Sequence, residues 1–250
     1  MLLTIDIGNT NITFGIFMGK KLLRRFDIPT DKLGYATFKK KLGSFKPSQA
    51  IICSVVPKVT RHLKGILSRM LIHPLIIGKD VRVPIKNLYR KPSEVGQDRL
   101  VNAYAVIRLY GTPAVIVDFG TAITFDVVSK NKEYRGGLIV PGLKISLEAL
   151  SRRTALLPKL ELRAPHEFIG KDTKSSMLSG IVYGFASLTD QLLSQLKKDT
   201  GKGAHVLATG GDVSLMARYC RRIDKIDETL TLKGLNLIYG EAKKEISKKV

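Results

Sequence analysis

The chain has 250 residues, of which 44% are hydrophobic and 25% are charged, a balance typical of a globular protein that buries a core. No apolar run approaches the ~18 residues that a membrane-spanning helix needs, and the N-terminus lacks the basic segment of a secretion signal, so we expect a cytoplasmic protein without a membrane partner. The net charge of +21 permits nucleic-acid binding. The basic residues are nevertheless spread along the chain in pairs, without interleaved aromatic residues, which favours an enzyme of anionic substrates over a nucleic-acid-binding protein.

An apolar strand followed by a polar turn opens the chain. Residues 2–11 read LLTIDIGNTN, and an alternating apolar segment resumes at Ile12, so the pattern predicts strand, tight turn, strand. Gly8 permits a sharp bend that brings backbone N–H groups close to an anion. Asp6, at the end of the strand, is a hard oxygen ligand suited to a phosphate-bound Mg²⁺. A plain hairpin with an Asx-type turn is the alternative explanation.

The same pattern returns in the middle of the chain. Residues 114–125 read AVIVDFGTAITF, again an apolar strand, then an aspartate, a glycine and a threonine, and with one residue deleted both copies end in Ile-Thr-Phe. The two aspartates, Asp6 and Asp118, lie almost half the chain length apart. A duplication at that scale predicts two similar lobes, each presenting one Asp–Gly–Thr loop to a shared cleft.

The remaining elements of the first half are predicted from periodicity. A helix begun by Asp31 is expected over 31–45, a buried strand over 50–56, a helix over 59–71 and a short strand over 75–77, which together indicate a mixed sheet with helices packed on it. A polar segment then leads into a helix whose apolar residues start at Leu100. It places Gly96, Asp98 and Arg99 at a helix N-terminus, where anions are favoured. A capping acid beside a surface arginine is the alternative.

The second half is predicted to contain strands over 114–120 and 122–129, a helix over 143–150 and a long helix ending near 198. Thr173 at the start of that helix either contacts a ligand or caps the helix. A strand and glycine turn follow at 205–212, then a strand over 227–232 and a final helix from 233. Cys53 and Cys220 lack CxxC spacing, so we expect free thiols, and the four scattered histidines lack metal-ligand spacing.

Six stretches of the chain, in this order, resemble the type III pantothenate kinases of the acetate/sugar kinase–Hsp70–actin superfamily. An Asp–Gly–Thr loop alone indicates only the superfamily, whereas Gly-x-Asp-Arg shortly before a second Asp-x-Gly-Thr-Ala is far more specific. Two departures are mild: Asp172 stands where the family often has Asn, and Leu178 where Gln is frequent. The matching stretches are residues 6–11, 96–99, 118–124, 136–142, 170–184 and 209–212.

The resemblance implies an α/β fold of two duplicated ribonuclease H-like lobes, with mixed sheets flanked by helices and a nucleotide cleft between them. The lobes are expected at 1–113 and 114–250, both actin-like ATPase lobes, with the last helix able to pack back on the first. The implied activity is ATP-dependent phosphorylation of pantothenate to 4′-phosphopantothenate, the first step of coenzyme A biosynthesis. Implied cofactors are ATP with Mg²⁺ and a monovalent cation, K⁺ or NH₄⁺, and a homodimer is the implied assembly.

The resemblance also implies a role for each matching residue. Asp98 is the implied general base, Asp118 binds the monovalent cation, and Asp6 binds Mg²⁺ through water. Substrate-binding residues are Tyr89, Gly96, Gln97, Asp98, Arg99 and Thr173, the last in a site completed at the dimer interface. ATP-binding residues are Asp6, Ile7, Gly8, Asn9, Thr10, Asn11, Ile12, Thr13 and Thr121.

Other kinase classes fit the motifs less well. The chain has no GxxxxGK[ST] loop, and its Asp-Phe-Gly at 118–120 lacks the His-Arg-Asp loop of protein kinases. Two alternatives stay open at this point: another small-molecule kinase of the same superfamily, and a non-catalytic basic regulator that binds nucleic acid.

Overall fold

The structure, a computed structural model, describes residues 1–201 and 203–247. Within these residues, eleven strands and seven α-helices follow one another along the chain. The first half contains β1 (Leu2–Ile7), β2 (Asn11–Met18), β3 (Lys21–Pro29), α1 (Tyr35–Leu42), β4 (Gln49–Ser54), α2 (Pro57–Ser68), β5 (Pro74–Ile76), β6 (Lys86–Asn87) and α3 (Gln97–Leu109). The second half contains β7 (Ala114–Phe119), β8 (Ala122–Val128), β9 (Glu133–Pro141), α4 (Leu143–Arg153), α5 (Thr173–Thr200), β10 (His205–Thr209), α6 (Val213–Met216), β11 (Lys225–Ile226) and α7 (Leu230–Ser247).

The first sheet has the strand order β3-β2-β1-β4-β5. The first three strands form an antiparallel meander, because short turns join them, while β4 and β5 lie parallel to β1 and are reached through helices. β1 and β4 are almost fully buried, as their apolar sequences predict for strands covered on both faces.

The second sheet repeats this arrangement. Its order is β11-β10-β7-β8-β9-β6, so β7 to β11 occupy the positions of β1 to β5, with the same parallel and antiparallel pairs and β6 added at the edge. The register is also equivalent. Asp6 lies between Thr13 and Cys53 of its neighbours, and Asp118 lies between Thr124 and Thr209. The predicted α/β fold of two duplicated lobes with mixed sheets is confirmed.

Helices cover the sheets with apolar side chains. On one face of the first sheet, α1 and α2 contribute Phe38, Leu42 and Leu63 to a core with the strands. Side chains from α4 and α5 form an equivalent core with β7, β8 and β10. No helix within residues 1–201 and 203–247 combines the length and apolarity needed to cross a membrane.

The chain divides into two compact units. The first comprises Met1–Ile85, Arg90–Leu109 and Thr229–Val250, and the second comprises Lys86–Tyr89 and Tyr110–Glu228. The C-terminal helix α7 belongs to the first unit because it packs closely on α3: a Cβ added to Gly234 would lie 2.8 Å from a methyl of Val101. The division of the duplicated halves at 113 and 114 stays a prediction.

Two elements differ from the sequence prediction. Asp31 lies in a 3-10 turn (Thr30–Lys32), and α1 begins only at Tyr35, after Gly34. The strand predicted over 227–232 is wrong, since β11 is Lys225–Ile226 and α7 already begins at Leu230. The alternation of Thr and Leu at 229–232 resembles a strand, but the buried residues follow the spacing of a helix. Among the residues whose burial is described, those buried in α7 are Leu230, Leu232, Gly234, Leu235, Ile238 and Ala242.

Candidate active site

The turn between β1 and β2 is held from its inner side and exposes its polar tip. The N–H of Gly8 donates to the carbonyl of Asn11 (3.0 Å), so this N–H is already used within the turn. Thr30, which the sequence patterns did not single out, donates its hydroxyl to the Gly8 carbonyl (2.9 Å) and its N–H to the Thr10 carbonyl (2.9 Å). Asn9, Thr10 and Asn11 are exposed. The turn can therefore present amide and hydroxyl groups to an anion without losing its shape.

The hydrophobic residues of the same segment play a different part. Ile7 and Ile12 are fully buried, and Thr13 is partly buried opposite Asp6. Ile7 and Ile12 have no exposed surface, because their side chains fill the core of the first sheet. Their contribution to an anion site is to fix the position of the turn.

Gly96 and Asp98 are in close contact at the start of α3. The Asp98 carboxylate accepts a hydrogen bond from the N–H of Arg99 (2.9 Å). A Cβ on Gly96 would lie 2.4 Å from that same Oδ1 atom, so only glycine leaves room for the carboxylate in this position. Gly78, at φ +83, packs against the side chain of Gln97 in a similar way. The prediction that this segment begins a helix is confirmed.

The charges of Asp98 and Asp6 both act on one buried thiol, that of Cys53. Cys53 is directly opposite Asp6 in the pairing of β1 with β4, and its side chain is fully buried. Burial raises the pKa of the Cys53 thiol well above its usual value, and the charges of Asp6 and Asp98 raise it further. The thiol is consequently neutral, and two carboxylates from separate elements lie near it in the first unit.

The environment of Asp98 suits a proton acceptor. Burial raises the pKa of the Asp98 carboxyl, although the N–H and the charge of Arg99 act in the opposite direction. A carboxylate with a raised pKa binds a proton more readily than an exposed aspartate does. Arg99 itself is only 7% exposed, so its cation is held in place by its surroundings.

Two glycines, Gly142 and Gly210, lie against the second Asp–Gly–Thr turn. A Cβ on Gly210, at φ +102, would lie 2.5 Å from Oδ1 of Asp118. A Cβ on Gly142 would lie 2.2 Å from the carbonyl oxygen of Thr121. The absence of side chains at these positions lets two backbone segments approach the Asp118 carboxylate and the exposed Thr121 closely.

Tyr89 and Thr173 also lie in the second unit. The Tyr89 ring is partly buried against Gly136, where an added Cβ would come within 3.3 Å of the ring. Thr173 is exposed at the first position of α5. It lines an open depression together with Leu157, Gly170, Lys171, Asp172, Ser176 and Met177.

Asp172, not Thr173, caps the long helix. Its carboxylate accepts from the N–H of Ser175 (2.9 Å), and the Ser175 hydroxyl interacts with the N–H of Asp172 (3.1 Å), a reciprocal capping box. Asn and Asp are about equally good at this position, so the departure from the family's Asn preserves the cap. Leu178, the other departure, is buried in the second core.

The carboxylates of the site suit a metal ion that is bound mainly by phosphates and water better than a metal ion bound by protein side chains alone. Within residues 1–201 and 203–247, no group of three or more His, Cys, Asp or Glu side chains is arranged to hold a metal ion. Mg²⁺ in kinases is usually held by one or two carboxylates, waters and the substrate's phosphates. Asp6, at the end of β1 beside an exposed polar turn, is compatible with that mode. As predicted, both Cys53 and Cys220 are free thiols.

Comparison with solved structures agrees with this fold. The chain resembles an activator of 2-hydroxyisocaproyl-CoA dehydratase from Clostridium difficile, solved with bound ADPNP, at a TM-score of 0.57 and 13% identity, over 100% of this chain and 97% of that one. It also resembles the ethanolamine utilization protein EutJ from Carboxydothermus hydrogenoformans at a TM-score of 0.53 and 13% identity, over 94% and 89% of the two chains.

Comparison by sequence identifies the family. The family model described as type III pantothenate kinase matches residues 2–195. A type III pantothenate kinase from Syntrophus aciditrophicus is 43% identical over 96% of this chain and 98% of its own length. Another, from Moorella thermoacetica, is 41% identical over the same shares of the two chains. The chain belongs to the type III pantothenate kinase family.

Proposed function

We propose that Asp98 is the general base in the reaction of this family, the ATP-dependent phosphorylation of pantothenate that begins coenzyme A biosynthesis. The observation that carries this proposal is the proximity of Asp98 and Asp6 to the same buried thiol, Cys53. One carboxylate accepts the proton, and the other lies at the turn that suits phosphates. Burial keeps Asp98 basic enough to accept a proton as the nucleophile forms.

The proposed chemical step needs little covalent chemistry from the protein. The primary hydroxyl of pantothenate attacks the γ-phosphorus of ATP, its proton passes to the Asp98 carboxylate, and the bond from the γ-phosphorus to the bridging oxygen breaks to release ADP. Phosphoryl transfer of this kind depends mainly on positioning and on stabilisation of charge on the phosphoryl oxygens.

The phosphates are assigned to the first turn. In this assignment, Asn9, Thr10 and Asn11 supply amide and hydroxyl groups to phosphate oxygens, while Thr30 holds the turn in shape. Asp6 would hold Mg²⁺ through water, and the ion would neutralise negative charge on the transferred group. Ile7, Gly8, Ile12 and Thr13 position the turn, and Thr121 contacts ATP.

The substrate residues follow the motif positions. Arg99 presents a buried guanidinium, whose fork geometry suits the carboxylate of pantothenate. Gly96 and Gln97 shape the backbone beside it, and Tyr89 and Thr173 make further contacts. We assign the monovalent cation, K⁺ or NH₄⁺, to Asp118, where the close glycines leave the carboxylate surrounded by backbone.

The assembly and location are also proposals. We infer a homodimer that completes the site around Thr173, which is exposed in the single chain beside an open depression. We infer that the enzyme acts in the cytoplasm.

A coupled ADP-release assay with pantothenate and MgATP tests the proposal, run with K⁺ and then with Na⁺ at equal ionic strength. We expect turnover to be much higher with K⁺. Asp98→Asn should lower kcat by about 10²- to 10⁴-fold, the usual contribution of a general base, with the Kd for ATP almost unchanged. Glu94→Gln, an exposed carboxylate in the same segment, is the matched control. Near-normal turnover of Asp98→Asn would remove Asp98 from the role of base.

A further inference from the structure

The positive charge of the chain is concentrated in the first compact unit. That unit contains 24 Lys and Arg against 8 Asp and Glu, whereas the second unit contains 18 against 13. Within the first unit, residues 33–79 contain nine Lys and Arg and no Asp or Glu. The basic residues that look evenly spread along the sequence are therefore unevenly divided between the folded units.

All nine basic side chains of this segment are exposed. No carboxylate in the described parts of the chain, 1–201 and 203–247, forms an ion pair with any of them; they are Lys39, Lys40, Lys41, Lys46, Lys58, Arg61, Lys64, Arg69 and Lys79. The segment consequently presents positive charge to solvent without an ion pair to a described carboxylate.

Helices α1 and α2 bring most of these charges onto one surface. Their apolar residues enter the same core on the same side of the first sheet, so their polar sides both face outward. The Tyr35 ring links the two, with the Lys39 ammonium 5.8 Å and the Arg69 guanidinium 5.5 Å from its centroid. We call this surface the cationic face and define it by Lys39, Lys40, Lys41, Lys58, Arg61, Lys64 and Arg69.

The cationic face has a regular arrangement on α2. Lys58, Arg61 and Lys64 follow one another at i, i+3 and i+6, so they form a strip along the exposed side of the helix, whereas Leu63 and Leu67 are buried. Three consecutive lysines add charge on α1. None of these residues belongs to the candidate active site. The charge is therefore not explained by the binding of ATP or pantothenate there.

We propose that the cationic face binds the phosphate backbone of a nucleic acid without reading its bases. An array of uncompensated cations over two helices matches a polymer that carries one negative charge per ~1.7 Å of duplex axis. The aromatic ring at its centre is partly buried and already contacts two cations, so it provides no platform for base stacking. The proposal adds a partner beyond the kinase reaction and departs from the expectation drawn from composition.

An anionic membrane is the less suitable occupant. Helices that bind in a membrane interface bury an apolar face among the lipids. The apolar faces of α1 and α2 are instead used inside the protein, by Phe38, Leu42, Leu63, Ile66 and Leu67. The outward sides of the two helices therefore carry mainly positive side chains, which the phosphates of a nucleic-acid backbone can neutralise along its length.

Fluorescence anisotropy with the intact protein tests the proposal. The probes are a labelled mixed-sequence DNA duplex of about 25 bp and a single-stranded RNA of equal length, titrated between about 50 and 200 mM salt. We expect binding to at least one probe, with an affinity that falls steeply as salt rises. Lys39→Gln/Lys40→Gln/Lys41→Gln should weaken it at least about tenfold at low salt and flatten the salt slope by about one unit for each phosphate that is no longer neutralised.

The matched control removes three charges from the second unit. Lys130, Lys159 and Lys198 are exposed and lie outside the cationic face, and their replacement by Gln should change the affinity by less than about threefold. Both triple variants should retain full kinase turnover, which separates this proposal from that of the active site. The proposal is overturned if both variants weaken binding equally, if neither probe binds, or if phosphatidylserine vesicles bind more tightly than both probes at the same salt.

Discussion

Asp98 shows how one partly buried carboxyl group links catalysis to stability. Burial raises its pKa, and the folded protein therefore binds this proton more tightly than the unfolded chain does. The stabilisation is fully present below the unfolded pKa, near 4, and is lost as the pH rises through the folded pKa. At neutral pH the ionised carboxylate consequently lowers the free energy of unfolding. Catalysis nevertheless requires this ionised form, because only the carboxylate can accept a proton.

The raised pKa of Asp98 should affect both activity and stability as the pH changes. We expect the acid limb of the kcat/KM profile to have an apparent pKa above about 4, the value of an ordinary aspartate. Asp98→Asn should raise Tm at pH 7, because Asn can still accept the Arg99 N–H without carrying a charge. That gain should shrink as the pH falls through the raised folded pKa towards about 4, below which the carboxyl group is neutral in both the folded and the unfolded chain. Scanning fluorimetry across the pH range measures it, and a lower Tm for the variant at pH 7 would contradict the argument.

Gly96 is a second residue whose importance only the geometry shows. Gly96→Ala places a methyl group 2.4 Å from the Asp98 carboxylate oxygen, so the carboxylate must move. We expect a fall in kcat of about tenfold or more, since small displacements of a catalytic group are costly, with a folded protein by circular dichroism.

Gly65→Ala is the control for that variant. Gly65 lies in α2 with nothing within 4 Å of an added Cβ, so alanine there should leave kcat unchanged and raise stability by about 0.5–1 kcal/mol. Equal turnover of Gly96→Ala and Gly65→Ala would show that the Asp98 carboxylate can move away from the added methyl group without loss of catalysis.

At the scale of elements, the two Asp–Gly–Thr turns have the same place in their sheets. Each follows the central strand, between one antiparallel and one parallel neighbour, and each is held by residues distant in sequence. Thr30 supports the first turn, and Gly142 and Gly210 lie against the second. The strand pattern predicts the turns themselves, but only the sheet registers bring these supports to them.

The capping box of α5 provides a test at this scale. Asp172→Ala removes the acceptor for the Ser175 N–H and should cost about 1 kcal/mol of unfolding free energy, measured by urea denaturation. Asp172→Asn, the residue frequent in the family, should retain nearly all of the stability. If Asp172→Asn lost as much unfolding free energy as Asp172→Ala, the charge rather than the hydrogen bond would stabilise the start of the helix.

At the scale of the whole molecule, the charge of +21 should affect how fast anionic substrates arrive. We expect kcat/KM for ATP to fall as ionic strength rises from about 20 to 200 mM at constant K⁺ and Mg²⁺, while kcat changes little, because screening acts on encounter. Steady-state assays with added choline chloride measure this. A kcat that falls in parallel would instead indicate an effect on the chemical step.

Local patterns in the sequence determined the strands, the turns and the family of this protein. Strands, their Asp–Gly–Thr turns and the duplication follow from spacings of a few residues, because a strand or a tight turn is decided by its neighbours in the chain. The motifs 6–11, 96–99 and 118–124 were enough to indicate the family. The start of α1 and the strand expected at 227–232 were predicted wrongly. For the second, the burial of Leu230, Gly234 and Ile238 within a helix decided against a strand.

Only the tertiary structure decided which groups lie near one another. It brought Asp6 and Asp98 near Cys53, connected Thr30 to the first turn by hydrogen bonds, and placed α7 in the first unit. It also collected exposed lysines and arginines on the outer sides of α1 and α2. These results depend on sheet register and helix packing between residues far apart in the chain, and no local spacing in the sequence encodes them.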